Sequence, residues 1–406
     1  MNTKKAYELI QNILSGLTEK SKQSVLNKLF SNEKSNADSS AEKQEQLLEK
    51  CRQSKMVDGK MVCPDCGSLN TIKNGFRSGR QRYLCKDCTS SFGDTYDTLF
   101  FHSRLSADKW EKLISMVLLK QSIRIIAKDL GIHKNTAMFN INRIATMLEE
   151  YANTDSEFIS IVEADEWYYP LSFTGKRDKS FFIDVLGRMP RHHRSRAEKL
   201  KYLEDAGFDI SILDNIGDDQ SSVLKQASAI NHLVAEEKHK RGISNDLLAV
   251  LTCVDRTQSN FTKSCCLGRI TTNDISTELK DCFAEDTVLV TDSHSAYRGY
   301  AKANGIHLEQ IPSGQHSKGG FNLARVNSYH SRLTDLNYPH KVVASKNCNR
   351  YFALYQWQDR NRSNTTKANT EKLINMACQK VKLFTRKNYG KALLPFDTKG
   401  LITMPV

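Results

Sequence analysis

The chain predicts an α/β protein whose C-terminal half builds a mixed sheet flanked by helices, with two small modules in front of it. Three observations predict this. From about residue 158 short β-rich runs alternate with helical patterns. Upstream lie two Cys-x-x-Cys pairs at metal-binding separation, and between the two regions stands a glycine-centred pair of amphipathic segments. The 406 residues exceed one ordinary core and divide naturally. The division expected is a helical arm and linker (1–55), a cysteine ribbon (56–100), a helix-turn-helix module (101–152), an α/β domain (155–365) and a tail (366–406). The polar, low-complexity run SNEKSNADSSAEKQEQLLEK suits a hinge.

In the ribbon, Cys63-Pro-Asp-Cys66 is followed after eighteen residues by Cys85-Lys-Asp-Cys88. Two such pairs suit a four-thiolate tetrahedral zinc site, closed and therefore structural. A segment this short and this poor in apolar residues needs the ion to fold. Between the pairs run Lys73, Arg77, Arg80, Arg82 and Lys86, with Phe76 and Tyr83 interleaved and no acid until Asp87. Such a hairpin suits phosphate contacts with occasional stacking; a ribbon that binds only protein is the alternative.

Residues 122–145 read as a helix over 123–130, a turn at Gly131 and a second helix from near Asn135. Ile126, Ala127, Leu130, Ile132, Ala137 and Ile141 form the apolar set that packs the pair. His133, Lys134, Asn135, Thr136 and Asn140 are then expected to face outward, as a recognition helix presents its first residues to base edges. Plain packing helices are the alternative reading.

The α/β part reads as strands at 158–168, 246–255, 259–266, 287–292 and 306–312. Helices are expected at 273–283, 295–304, 321–336 and 346–360. Between the first two strands, 188–244 is charge-rich and reads as an insertion, with a basic cluster at Arg191, His192, His193, Arg194 and Arg196. Alternation puts Glu163, Asp165 and Trp167 on one face of the first strand. Asp292 ends the run TVLVTD, where a carboxylate at a strand's C-terminal edge opens onto a crevice. Asn327 lies thirty-five positions later, with His330 on the same helix face. Two carboxylates brought together from adjacent strands repel unless a cation bridges them. Mg²⁺ or Mn²⁺ does so with oxygen ligands and holds a phosphodiester in line. The alternative is an ordinary strand-end acid and an N-cap.

The formal net charge of +13 favours polyanion partners. With mean hydropathy −0.51 and no long apolar run, a membrane is not expected. The first residues do not read as a signal peptide, so a cytoplasmic location is expected. Eleven cysteines in such a chain argue for thiols and a metal rather than a disulfide framework.

On CPDCGS…RYLCKDCTSSFGDTYDTLF, VEADEWYY, LVTDSHSAY and NLARVNSYHSRL the sequence resembles bacterial transposases of the insertion sequence 1595 family over roughly 60–360. The resemblance implies an RNase H-like catalytic domain behind a zinc ribbon and helix-turn-helix, working on nucleoid DNA. It puts the family's first and second catalytic Asp on Asp165 and Asp292 and its third position, often Glu, on Asn327, with His330 the other candidate. Asn offers one carbonyl oxygen, carries no charge and cannot act as a base. The Lys many relatives carry seven residues after the third position is Thr334 here, with Arg332 a substitute for holding a DNA end. The reaction implied is hydrolysis at the element's terminal inverted repeats, then attack of the freed 3′-hydroxyl on target DNA. Such enzymes commonly act as dimers. A DNA-binding regulator with a degenerate catalytic domain is the competing reading.

Overall fold

The computed structural model describes residues 39–152, 158–175 and 247–381, apart from 79, 258, 341 and 342 and with a few single positions between and beyond. The basic insertion cluster and most of the N-terminal arm lie outside the described residues. No helix among the described residues is long and apolar enough to cross a membrane. The chain forms two compact units: Met1–Met147 with Asn364–Phe384, and Leu148–Ser363 with Thr385–Val406.

In the first unit, residues 39–53 are helical (α1), where a hinge was expected. The cause is visible in AEKQEQLLEKC: good helix formers with Leu47, Leu48 and Cys51 on one buried stripe. This helix docks on α2 (Ala107–Leu118). Gln44 Oε1 accepts from the first-turn N–H of Ala107 at 3.0 Å, and Lys43 pairs with Asp108 and Glu111 at 3.3 and 2.9 Å.

The ribbon holds two short strands, β1 (Met56–Val57) and β2 (Lys60–Met61). Three more form an antiparallel sheet: β3 (Thr71–Arg77), β4 (Arg80–Cys85) and β5 (Ser91–Gly93). Its core is small: Met61, Cys63, Tyr83, Cys85 and Phe92, with Tyr96 against it.

Next come α3 (Ile123–Asp129), N-capped by the Ser122 side chain, and α4 (Lys134–Ala152). Gly131 turns the chain between them at φ +61°, a left-handed conformation that costs glycine nothing. Ile126, Ala127, Leu130, Ala137 and Ile141 are buried as expected, while Ile132 is half-buried.

Among the described residues five strands form the sheet of the second unit: β6 (Ile161–Pro170), β7 (Leu247–Asp255), β8 (Asn260–Leu267), β9 (Val288–Thr291) and β10 (His307–Gln310). Their order is β10-β9-β6-β7-β8. The β6, β7 and β8 neighbours pair antiparallel, whereas β9 runs parallel to β6 and β10 parallel to β9. The protein is therefore mixed α/β. The strands arise where apolar, β-branched runs dominate, as in LLAVLTCVD.

Helices α5 (Thr272–Glu278) and α6 (Ser295–Asn304) cover one sheet face. There Val162, Ala164, Leu251, Cys253 and Leu289 pack with Ile275, Tyr297 and Tyr300. The minor strands β11 (Ser317–Lys318) and β12 (Phe321–Asn322) precede α7 (Ala324–Asn337). Helices α7 and α8 (Cys348–Arg360) cover the other face. Trp167 and Tyr169 meet Phe352 edge-on at 5.8 and 5.5 Å, and Tyr329 hydrogen-bonds Thr262 at 2.5 Å.

The segment expected as a tail opens instead with α9 (Thr366–Cys378), which belongs to the first unit. Leu99 N–H donates to Ala377 O at 3.0 Å, and Ser54 Oγ to Cys378 O at 2.7 Å. Leu373, Ala377 and Cys378 are buried.

Candidate functional site

The four ribbon thiols converge: every pair of sulfurs among Cys63, Cys66, Cys85 and Cys88 lies within 4.8 Å, close enough to bind a metal such as zinc. Each pair is a tight knuckle. Gly67 N–H donates to Cys63 O at 2.9 Å, Cys63 N–H to Ser68 O at 2.8 Å and Cys85 N–H to Ser90 O at 2.9 Å. The Cys88 backbone N–H, ahead of that of Asp87, pulls the Cys85 thiol down to about 7 against the opposing effect of burial. That favours the thiolate a metal needs.

Of the basic residues between the knuckles, Arg77 and Arg80 are exposed and make no ion pair among the described residues. Arg82 is half-buried and tied to Ser91, through its carbonyl at 3.2 Å and its hydroxyl at 2.6 Å. Tyr83 is a correction to the expected stacking surface. It is buried and stacked on Phe92 at 5.8 Å, because so small a core needs its ring.

At the start of α4, His133, Lys134 and Asn135 are exposed and Thr136 half-buried. His133 Nδ1 accepts from Asn135 N–H at 3.2 Å and so caps the helix. Asn140, expected outward, is buried and donates to Thr136 O at 3.0 Å. It follows Ala137 by three positions and shares its inner stripe.

In the second unit the β6–β9 ladder runs to Glu163↔Val290, and two residues further that register sets Asp165 beside Asp292. Asp292 thus follows the C-terminal end of β9, while Asp165 lies in the middle of β6, just past the point where the parallel ladder stops. Burial first, then the charges of Glu166 and Asp292, push the Asp165 carboxyl up to about 7; the Glu166 N–H, 2.9 Å from its Oδ1, works the other way. Burial also raises Glu166, and the Asp292 charge adds to that. Asp292 Oδ1 accepts from His294 N–H at 2.9 Å, turning the chain into α6.

Asn327 stands exposed in the first turn of α7 and reaches neither aspartate through any hydrogen bond. One turn on, His330 reaches the sheet. Thr252, the cross-strand partner of Asp165, donates its only hydroxyl proton to Asp165 O at 2.7 Å. His330 Nε2, 2.6 Å from Thr252 Oγ1, must therefore be the donor to that hydroxyl, leaving Nδ1 with a lone pair. Burial pushes this imidazole down to about 4, so it is neutral at pH 7. Among the described residues, only the four cysteines bring three or more His, Cys, Asp or Glu ligand atoms within 4.8 Å, so Asp165, Asp292 and His330 do not form so tight a cluster.

Sequence reasoning missed the role of Glu163. It is 0% exposed, on the same strand face as Asp165, and its Oε2 accepts from the N–H groups of Arg325 and Val326 at 2.7 and 3.1 Å. A carboxylate at a helix N-terminus satisfies unpaired donors and the dipole. It pins the start of α7, two residues before Asn327, against the strand of Asp165. The signal was present, an acid on the inner face of a buried strand, but its partners lie 162 positions away. Arg332 is engaged by Asp359 through Nε at 2.5 Å and Nη2 at 3.3 Å, and donates to Ser328 at 2.7 Å. That removes it as a free cation for a DNA end.

Fold and sites together define a mixed α/β protein with four cysteines placed to bind a metal and two acids side by side on its central strands β6 and β9. No family model matches the chain. Over 117 residues it is 30% identical to an uncharacterized protein in transposable element ISH50 of Halobacterium salinarum. The match covers 29% of this chain and 39% of that relative, so the chain spans well under half of the relative's length.

Proposed function

We propose that the chain is a DNA transposase that cuts and joins the ends of an insertion sequence by metal-dependent phosphodiester hydrolysis and strand transfer. One observation carries the reading: Asp165, midway along β6, stands beside Asp292 just past the end of β9, and the Asp292 charge is among the causes that lift the Asp165 carboxyl to about 7. Acids held together against that repulsion are those a cation would relieve. The mixed sheet with helices on both faces is compatible with an RNase H-like domain. The ribbon and the α3–α4 pair suit DNA binding through Arg77, Arg80 and Arg82 and through Lys134, Asn135 and Thr136. The relative within a transposable element points the same way.

The donors are hard oxygens, which fit Mg²⁺ or Mn²⁺ rather than a soft-metal site. Asp165 and Asp292 would hold the ion, with the Asn327 carbonyl as a weaker neutral ligand. When bound, it supplies charge neutralisation at a phosphodiester. The protein's own part is to aim the ligands. Glu163 fixes where α7 begins, and the Thr252–His330 contact fixes its next turn on the sheet. In sequence, water displaces the 3′-oxygen at the element's terminus, and the freed 3′-hydroxyl then displaces one in target DNA. Both are in-line substitutions at phosphorus, so one site serves each.

The outward stance of Asn327 favours a second reading, a DNA-binding regulator whose domain has lost its chemistry. Mn²⁺-dependent nicking of a duplex carrying the element's terminal inverted repeats separates the two. The transposase reading expects cleavage that Asp165→Ala or Asp292→Ala abolishes while binding survives. Sequence-specific binding without cleavage by the native chain overturns it.

A further inference from the structure

The β3–β4 hairpin contains an irregularity that changes which side chains share a face. Its pairing runs Thr71↔Cys85, Ile72↔Leu84 and Lys73↔Tyr83, then resumes at Phe76↔Gln81 and Arg77↔Arg80. Two residues on β3, Asn74 and Gly75, thus oppose one on β4, Arg82, a β-bulge. Because side chains alternate with period two, one extra residue exchanges the faces of everything beyond it. In an unbroken ladder Phe76 would pair with Arg80 and share the arginine face. With the bulge, Arg77 joins Arg80 and Arg82 on one face, and Phe76 projects from the other. Gly75, at φ +64°, sits inside the bulge in a conformation glycine adopts without strain.

The result is a two-sided blade. One face carries three arginines, two of them unpaired among the described residues and the third set by Ser91. The other carries Phe76, which at 74% is the most exposed of the large hydrophobic side chains described. The base of the blade pairs Thr71 with Cys85 of the second cysteine knuckle. A phosphate rail on one side and a stackable apolar surface on the other are what a groove of duplex DNA offers. A protein surface matching Phe76 would leave the arginine face idle.

We propose that the β3–β4 hairpin enters a groove of duplex DNA, with Arg77 and Arg80 on backbone phosphates and Phe76 wedged against a base step. This rests on the reading of the chain as DNA-binding and adds how one element does it. The bulge is then the device that keeps ring and cations on opposite faces.

The test uses the full zinc-loaded chain and a terminal-repeat duplex with 2-aminopurine placed at successive positions, titrated at several salt concentrations. The native chain raises 2-aminopurine fluorescence at one step, reporting unstacking. Phe76→Ala loses that rise and weakens binding roughly 10- to 100-fold, with the salt dependence unchanged. Phe76→Trp restores both. Arg77→Ala and Arg80→Ala each lower the salt slope by about 1 and keep the fluorescence rise. Phe76 packs on nothing it would unfold, and zinc content checks that each variant keeps its ribbon. Phe76→Ala with native affinity and native fluorescence overturns the wedge while leaving DNA binding intact. Phe76→Ala that binds DNA normally but shifts the chain from dimer to monomer also overturns it, by assigning the ring to a second copy. A native chain that binds no duplex at low salt overturns the hairpin assignment and the DNA reading together.

Discussion

Replacing Asp165 by Asn removes a carboxyl that the fold holds against its preference, and the effect on stability has a definite pH window. The Asp165 carboxyl rises from 3.8 to about 7 through burial and the charges of Glu166 and Asp292. Below pH 3.8 both the folded and unfolded chains keep the proton and nothing is lost. As pH rises, the unfolded chain ionises first, so stability falls until the folded carboxyl also ionises near 7, and is flat above. Each unit of difference is worth about 1.4 kcal/mol, giving a ceiling of about 4 kcal/mol. Asp165 keeps some contact with solvent, so roughly 2–4 kcal/mol is expected. For a unit of this size that is a rise of roughly 5–15 °C in Tm for Asp165→Asn at pH 8. The assay is thermal unfolding of both chains from pH 4 to 8.5, in zinc-containing buffer without Mg²⁺ or Mn²⁺. The gap should be near zero at pH 4, grow to pH 7 and then hold. A gap that does not change with pH, or a variant less stable than the native chain at pH 8, refutes the account of a carboxylate held at a cost.

Two further outcomes are expected. Glu163→Ala leaves the N–H groups of Arg325 and Val326 without their acceptor and should cost about 2–3 kcal/mol in urea unfolding, against about 1 for Glu163→Gln; an alanine variant of native stability would show that α7 is held elsewhere. Gly131→Ala finds open space around its new methyl group, so only the φ of +61° opposes it, and the loss should be about 1–2 kcal/mol with weakened DNA binding.

What the sequence makes legible is whatever is local. The ribbon shows in two cysteine pairs, and the α3–α4 turn in one glycine flanked by an apolar stripe. The strands show in runs such as LLAVLTCVD, whose ends the sequence places within a few residues. What escaped depends on partners far along the chain or on a single inserted residue. Nothing near Glu163 says that a helix starts on it 162 positions later. Tyr83 looks like one more aromatic among arginines until the ribbon's core proves too small to spare it. Asn140 sits where an outward recognition residue was expected, but its helix face turns inward. Residues 366–378 read as a tail because their few apolar positions meet a surface built far upstream, by α2 and the residues around Ser54 and Leu99. Of the acids, the place of Asp292 after its strand was legible, whereas the mid-strand position of Asp165 and the contact of His330 with Thr252 depend on which strands and helices pair.

The return of α9 to the first unit has a consequence for synthesis. A chain leaves the ribosome from its N-terminus, and units ordinarily fold in that order. Here the unit that begins first closes only after the other has emerged as far as Ser363, because Leu99 and Ser54 wait for Ala377 and Cys378. Among the described residues, the sheet bearing Asp165 and Asp292 has its five strands by Gln310. A product cut short after Ser363 would carry both acids yet leave the ribbon's unit unclosed.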